Sequence, residues 1–329
     1  MITYSIRRSL LIIPTLIMIT IIVFLLVRFV PGSVIDVIEA EMAQMSGTGV
    51  VDRAAVEREL GLDVPVHIQY GRWMGFLPYP EEGFSGVIQG NLGTSIRSDK
   101  PVAEEILNRL PVTLELGLLA ILIGALVSLP IGVFSAIRQD TLGDYLGRTI
   151  AILGISLPAF WVGTIVMLYP SLWWGWSPPM KFIPFTDDPL ENLGMLVIPA
   201  IIMGLFLSGA SMRMTRTMML EVLRQDYIRT AWAKGLSERL VIIRHALKNA
   251  LIPVITIIGL QLPLMIGGAV IIEQIFSLPG IGRLMLTAIN QRDYPTVSGL
   301  NLFVAGFVLI INLGVDLTYG FLDPRIRYT

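Results

Sequence analysis

Apolar positions gather into long uncharged runs: Ser9 to Val27, Leu116 to Ile137, Thr149 to Met180, Asn192 to Met212, Asn249 to Ile272 and Tyr294 to Val315. Each is long enough to cross about 30 Å of hydrocarbon as a helix. The pattern predicts an all-α integral membrane protein with six transmembrane helices. Pro14, Pro130, Pro158, Pro199 and Pro263 fall inside these runs. In a bundle, neighbouring helices and Ser or Thr side chains re-satisfy the carbonyls that proline frees, so each is expected as an ordinary kink. The first run comes after Arg7 and Arg8 and ends at Arg28 rather than at a small-residue cleavage site. It reads as a retained helix, not a signal peptide.

The runs divide the chain into a tail and first helix (1–30), a segment 31–105, and a five-helix core (106–329) with a segment 218–250 between the chain's fourth and fifth spans. Acidic residues from Asp36 to Glu105 outnumber the basic Arg53, Arg58, Arg72, Arg97 and Lys100, so 31–105 is expected outside, as a cap. Its punctuation, such as Ser46 to Gly49 and Gly90 to Gly93, lies between short helical patches such as Asp52 to Leu60. Between the fourth and fifth spans Arg213, Arg216, Arg224, Arg229, Lys234, Arg239, Arg244 and Lys248 outnumber Glu221, Asp226 and Glu238. The positive-inside rule places that side in the cytoplasm. Six spans then put both termini in the cytoplasm, beside Arg7, Arg8, Arg325 and Arg327. No internal repeat supports an inverted-repeat transporter.

Composition agrees. The apolar fraction is 54%, charged residues are 15% and mean hydropathy is +0.72, more than a soluble core of this length needs. A formal net charge of −1 suggests no nucleic-acid partner. With no cysteine, thiolate metal sites and thiol catalysis are excluded, and the two histidines, His67 and His245, stand apart. No metal and no cofactor is expected. No G-x-x-x-x-G-K-[ST] stretch occurs, so ATP hydrolysis, if it drives this chain, belongs to another one.

In 218–250 both halves have helical period: Met219, Val222, Leu223 and Tyr227, then Leu240, Ile243, Leu247 and Leu251. Gly235 sits where a helix ends, Ser237 can cap the second helix, and Glu238 favours that helix's first turn. Two helices joined by a tight bend are predicted. Small Thr230, Ala231 and Ala233 leave room for a partner's backbone. On pattern alone, an interfacial helix gripping anionic lipid or a packed channel loop fits too.

The stretch from Asp226 to Glu238, DYIRTAWAKGLSE, continues through Arg244 to Pro253, RHALKNALIP. With Arg28 to Gly32, Leu60 to Asp63, Gly90 to Ser95, Ser277 to Gly282 and Leu322 to Arg325, in this order and spacing, it resembles the permease subunits of binding-protein-dependent ABC importers, of the dipeptide and oligopeptide group. Against the wider superfamily pattern Glu-Ala-Ala, three residues, Gly, nine residues, Ile-x-Leu-Pro, only Ala231, Gly235 and Leu247 match. The resemblance implies a type I ABC importer permease in the inner membrane of a bacterium or archaeon, multi-pass. It implies a second homologous permease subunit, two ATP-binding subunits, an extracytoplasmic substrate-binding protein and a peptide substrate. Asp226, Tyr227, Arg229, Thr230, Ala231, Lys234, Gly235 and Leu236 would then couple to the ATPases. Nickel chelates or glutathione are alternative cargoes.

Polar groups at membrane depth are functional candidates. Glu115, Gln261, Asn301 and Asn312 are expected along the path, with Glu273 and Asp316 at helix ends; hydrogen bonding between helices explains a lone amide as well. Trp161, Trp173, Trp174 and Trp176 read as an aromatic belt and core. An ion-coupled secondary transporter would need paired intramembrane charges, and a membrane hydrolase a base at membrane depth, where no span carries histidine.

Overall fold

The computed structural model describes residues 2–29, 63–80, 83–175 and 181–322. The cap's 46–49 and 52–60 patches, Trp176 and the charges beyond Leu322 lie outside them. Ten helices are described: α1 (Ile2–Phe29), α2 (Val66–Met74), α3 (Val102–Ile137), α4 (Leu142–Ser156), α5 (Ala159–Trp174), α6 (Pro189–Leu223), α7 (Asp226–Ala233), α8 (Glu238–Ile275), α9 (Ile281–Asn290) and α10 (Tyr294–Leu322). Among the described residues there is no strand, only isolated bridges of Tyr79 with Gly83 and Thr94 with Pro101.

Five helices are long and apolar enough to cross a membrane: α1, α3, α6, α8 and α10. The sixth crossing departs from the expectation of one continuous run from Thr149. In place of that run stands the pair α4 and α5, bent by 91° at Leu157 and Pro158, which is apolar and long enough for a span only when its two halves are taken together. Pro158 has no N–H to continue the ladder, and its ring drives Leu157 to extended backbone (φ −86°, ψ 121°). The Pro158 carbonyl then accepts from Trp161 and Val162 to start α5. Pro158 is therefore a break, whereas Pro14, Pro130, Pro199 and Pro263 lie inside unbroken helices.

Contacts sort the described residues into two units. One is drawn from Met1–Arg8, Leu110–Arg283 and Val308–Thr329, the other from Ser9–Arg109 and Leu284–Phe307. The first has its main core where α3, α6 and α8 meet: Leu116, Leu196, Ala200, Met203, Met265 and Ile272 are buried there. Small residues let α3 and α6 touch backbone to backbone, since a Cβ on Gly204 would lie 2.7 Å from the Ala120 carbonyl oxygen. A second apolar cluster joins the ends of α3 and α6 to α7 and the start of α8, through Ala136, Met219, Ile228, Ala231, Val241 and Ala246. Large apolar side chains elsewhere, such as Leu118 and Leu126 on α3, stay exposed, as lipid- or partner-facing positions do.

In the second unit α2 leans on α1: Tyr70 and Trp73 pack on Phe24, and Tyr70 Oη shares a hydrogen bond with Thr20 at 2.8 Å. Asp293, before α10, ties down the loop around Ser95. Its carboxylate accepts from Ser95 Oγ (2.5 Å), Thr296 Oγ1 (2.7 Å) and the Ile96 amide (3.2 Å).

Candidate functional site

The bend predicted at Gly235 is present. α6 ends at Leu223, earlier than the periodicity through Tyr227 suggests, and only Arg224 and Gln225 separate it from α7. α7 ends in a left-handed turn. Gly235 has φ +74°, its N–H donates to the Trp232 carbonyl (2.9 Å), and the Leu236 N–H donates to that of Ala231 (3.4 Å). Both bonds of a glycine-terminated helix end are thus made. Ser237 then starts α8 with its carbonyl, which accepts from Leu240 and Val241. Its hydroxyl makes no capping bond, contrary to the expectation.

α7 is two-sided. Ile228 and Ala231 are buried in the second apolar cluster, while Asp226, Tyr227, Arg229, Thr230, Trp232, Lys234 and Gly235 face outward and Leu236 is half-buried. Tyr227 and Trp232 are each 44% exposed, an unusual display of aromatic surface beside charge. Asn249 donates to Tyr227 Oη (2.9 Å), so α7 is tied to α8. α8 runs unbroken from the bend for 38 residues, about 57 Å at helical rise, and overshoots about 30 Å of hydrocarbon. Val241–Leu247 widens into π-helical turns where it leaves the bend, a distortion frequent at functional positions. Among the described residues, apart from Gly235 and its two chain neighbours, no atom lies within 4 Å of the place a Gly235 side chain would occupy.

The polar groups expected along a path separate. Gln261 lies where α3, α6 and α8 surround a small recess lined also by Ile121, Gly124, Leu207, Ser211 and Ile258, and Ser211 Oγ donates to its side-chain oxygen at 3.4 Å. Glu115 accepts from Asn192 Nδ2 at 3.1 Å. Asn301 bonds to Val297 of its own helix, and Asn312 is half-buried. Glu273 is fully buried: it accepts from Thr113 Oγ1 (2.6 Å) and the Arg283 amide (3.0 Å), and so anchors the turn that opens α9. Asp316 pairs with Arg8 at 3.0 Å.

One cluster is not apparent in the sequence pattern. Asp144, fully buried in the first turn of α4, receives both Nε and Nη2 of Arg216 on α6 at 2.9 Å each, the Asp140 amide at 3.1 Å, and an ion pair from Arg148 at 3.2 Å. Only the i,i+4 spacing of Asp144 and Arg148 hints at it.

Five helices long and apolar enough to cross a membrane, a bent apolar pair, and a polar bend from which an unbroken helix leads into apolar residues are features of a multi-span membrane protein. The chain belongs to the family described as the inner membrane component of binding-protein-dependent transport systems, which matches residues 128–328, with its N-terminal companion over residues 1–117. It is accordingly a multi-pass permease of that class of ABC importer. It is 40% identical over 348 aligned residues to a dipeptide transport system permease protein of Alkalihalophilus pseudofirmus, covering 100% of both chains. A protein of the same name in Escherichia coli K12 is 38% identical, over 100% of this chain and 99% of that one. A putative peptide transport system permease protein of Brucella abortus is 42% identical over 96% of each. Among solved structures, an amino acid ABC transporter crystallised with histidines superposes with a TM-score of 0.50, over 68% of this chain and 94% of that one. At 13% identity this shows the fold alone.

Proposed function

We propose that this permease forms, with a second permease of the same architecture, the path by which short peptides delivered by an external binding protein enter the cytoplasm, and that two cytoplasmic ATPase subunits drive it by gripping the bend at Gly235. The peptide cargo accords with the names of full-length relatives at about 40% identity. The orientation, with the bend and both termini in the cytoplasm, accords with the charge asymmetry.

The observation that carries the coupling role is the bend itself. Asp226, Tyr227, Arg229, Thr230, Lys234 and Gly235 turn outward from a helix whose other side is buried, and among the described residues nothing fills the space over Gly235. A partner seated there pushes on α7, which passes the load to α6 through a two-residue connection and to α8 through the turn. Such a lever shifts the bundle between two packings when ATP closes the ATPases, each packing favoured by a different ligation state. Gln261 and Ser211 at the recess offer a passing peptide hydrogen bonds at membrane depth. Glu115, Asn301 and Asn312 are further candidates for the path, Glu115 held by Asn192 and Asn301 by Val297. The chain supplies path and lever and no catalytic residue.

Gly235→Val tests the reading. A β-branched residue in the left-handed region costs about 1–3 kcal/mol of strain, too little to prevent insertion of six apolar helices. The complex is expected to assemble in the membrane but to lose stimulation of ATP hydrolysis by loaded binding protein, together with uptake. Normal stimulation and uptake would make the bend an ordinary interfacial loop.

A further inference from the structure

We infer that Asp144, gripped by Arg216 and Arg148, locks α4 to α6 as one lever arm, so that the broken crossing flexes at Leu157–Pro158 each time the bend is driven. This rests on the proposal that the ATPases act at Gly235, and it assigns the transmission step beyond that contact.

Three observations carry it. The first is the completeness of the lock. A fully buried carboxylate that receives two Arg216 nitrogens, the Asp140 amide and Arg148 has a fixed geometry, and its two-pronged grip by the planar guanidinium resists rotation as well as separation. The second is the contact further along the same two helices. A Cβ on Gly209 of α6 would lie 2.5 Å from the Ala151 carbonyl oxygen, and one on Gly154 of α4 would lie 3.0 Å from that of Leu205. Backbones this close interlock, so α4 cannot slide on α6 without first moving away from it.

The third is where the crossing breaks. Beyond Pro158, α5 gains a second partner: Gly163 faces Ile272 and Ile275 of α8, each with an atom 3.4 Å from its Cβ position. The first half of the pair is thus held by α6, whereas the second adds α8 to its contacts with α6, and those two helices meet the bend from opposite sides, α6 before α7 and α8 after Gly235. The extended Leu157 and the N–H-free Pro158 are the place where a change in angle between the halves breaks no α-helical hydrogen bond. Motion between α6 and α8 therefore becomes bending at residues 157–158, while α4 moves with α6.

Because the chain has no cysteine, paired spin labels can be placed on it without background from the chain itself, and it is labelled before assembly with its partners. Thr149 on α4, Thr217 on α6 and Thr164 on α5 are all exposed. In the reconstituted complex with binding protein and peptide, the Thr149–Thr217 distance distribution is expected to be unchanged when ATP is trapped, and the Thr149–Thr164 distribution to shift. Asp144→Asn is expected to broaden the Thr149–Thr217 distribution and to lower the peptide moved per ATP hydrolysed several-fold, with the exchange Asp144→Arg plus Arg216→Asp recovering part of the loss. Should Asp144→Asn fail to accumulate, the label distances in the otherwise native complex decide alone. A Thr149–Thr217 shift on ATP trapping, or a fixed Thr149–Thr164 distance, in a complex that transports would overturn the lock. A native complex that hydrolyses ATP but moves no peptide overturns the functional proposal instead.

Discussion

A carboxylate taken out of water must be given donors, and at the residue scale Glu273 shows how strictly this fixes its surroundings. Thr113 donates to it while accepting from the Ile281 amide, and a Cβ on Gly280 would sit 2.2 Å from its carboxyl group. Gly280→Ala should therefore force the turn off the carboxylate at a cost of about 1–3 kcal/mol, as overpacking does. Thr113→Val should cost about as much by leaving buried polar groups unpaired. Thermal unfolding of the purified complex measures both, and because they share one carboxylate the double variant should lose less than the sum. Unchanged melting for Gly280→Ala would mean that the turn is not fastened there. These roles are absent from the sequence pattern, where Glu273 is one charge at the end of an apolar run and its partners lie 160 positions away and in the following turn.

At the scale of elements, hydropathy is sufficient to find the crossings, because a bilayer rewards length and apolarity and little else. It is insufficient to tell one proline from another. Pro130, Pro199 and Pro263 stay inside continuous helices while Pro158 breaks one. All four prolines lack the N–H alike, so the residue type alone does not mark the break. The glycine bend is legible for the opposite reason, since a left-handed helix end is a local event with a local residue preference. The Asp144 lock is not, since Arg216 stands 72 positions from Asp144 and counts, in a charge tally, as one more basic residue of the positive side. α7 itself is held by few residues, and Ile228 is completely buried among them. Ile228→Ala should remove about 2–5 kcal/mol of packing and free α7 from α8. Faster amide hydrogen exchange across residues 226–236, with the membrane helices still protected, is the expected outcome. Uniform exchange in both regions would show that α7 is not a separately docked element.

For the whole molecule, the distribution of charge sets the orientation and the orientation sets what the bend can touch. Single cysteines at Ser98 and Ser237, both exposed, should differ toward an impermeant thiol reagent added to intact cells: Ser98 labels and Ser237 does not. The reverse pattern would invert the topology and remove the bend from the side where ATP is found. Given that topology, the proposed coupling depends most on one contact. A lone cysteine at Lys234, exposed beside Gly235, in the purified and reconstituted complex carrying a short bifunctional reagent, reports what lies over the bend. The expected result is a covalent product with an ATPase subunit, in a yield that changes when ATP is bound. A cysteine that stays accessible yet joins no ATPase subunit in any nucleotide state would contradict a coupling role for the bend.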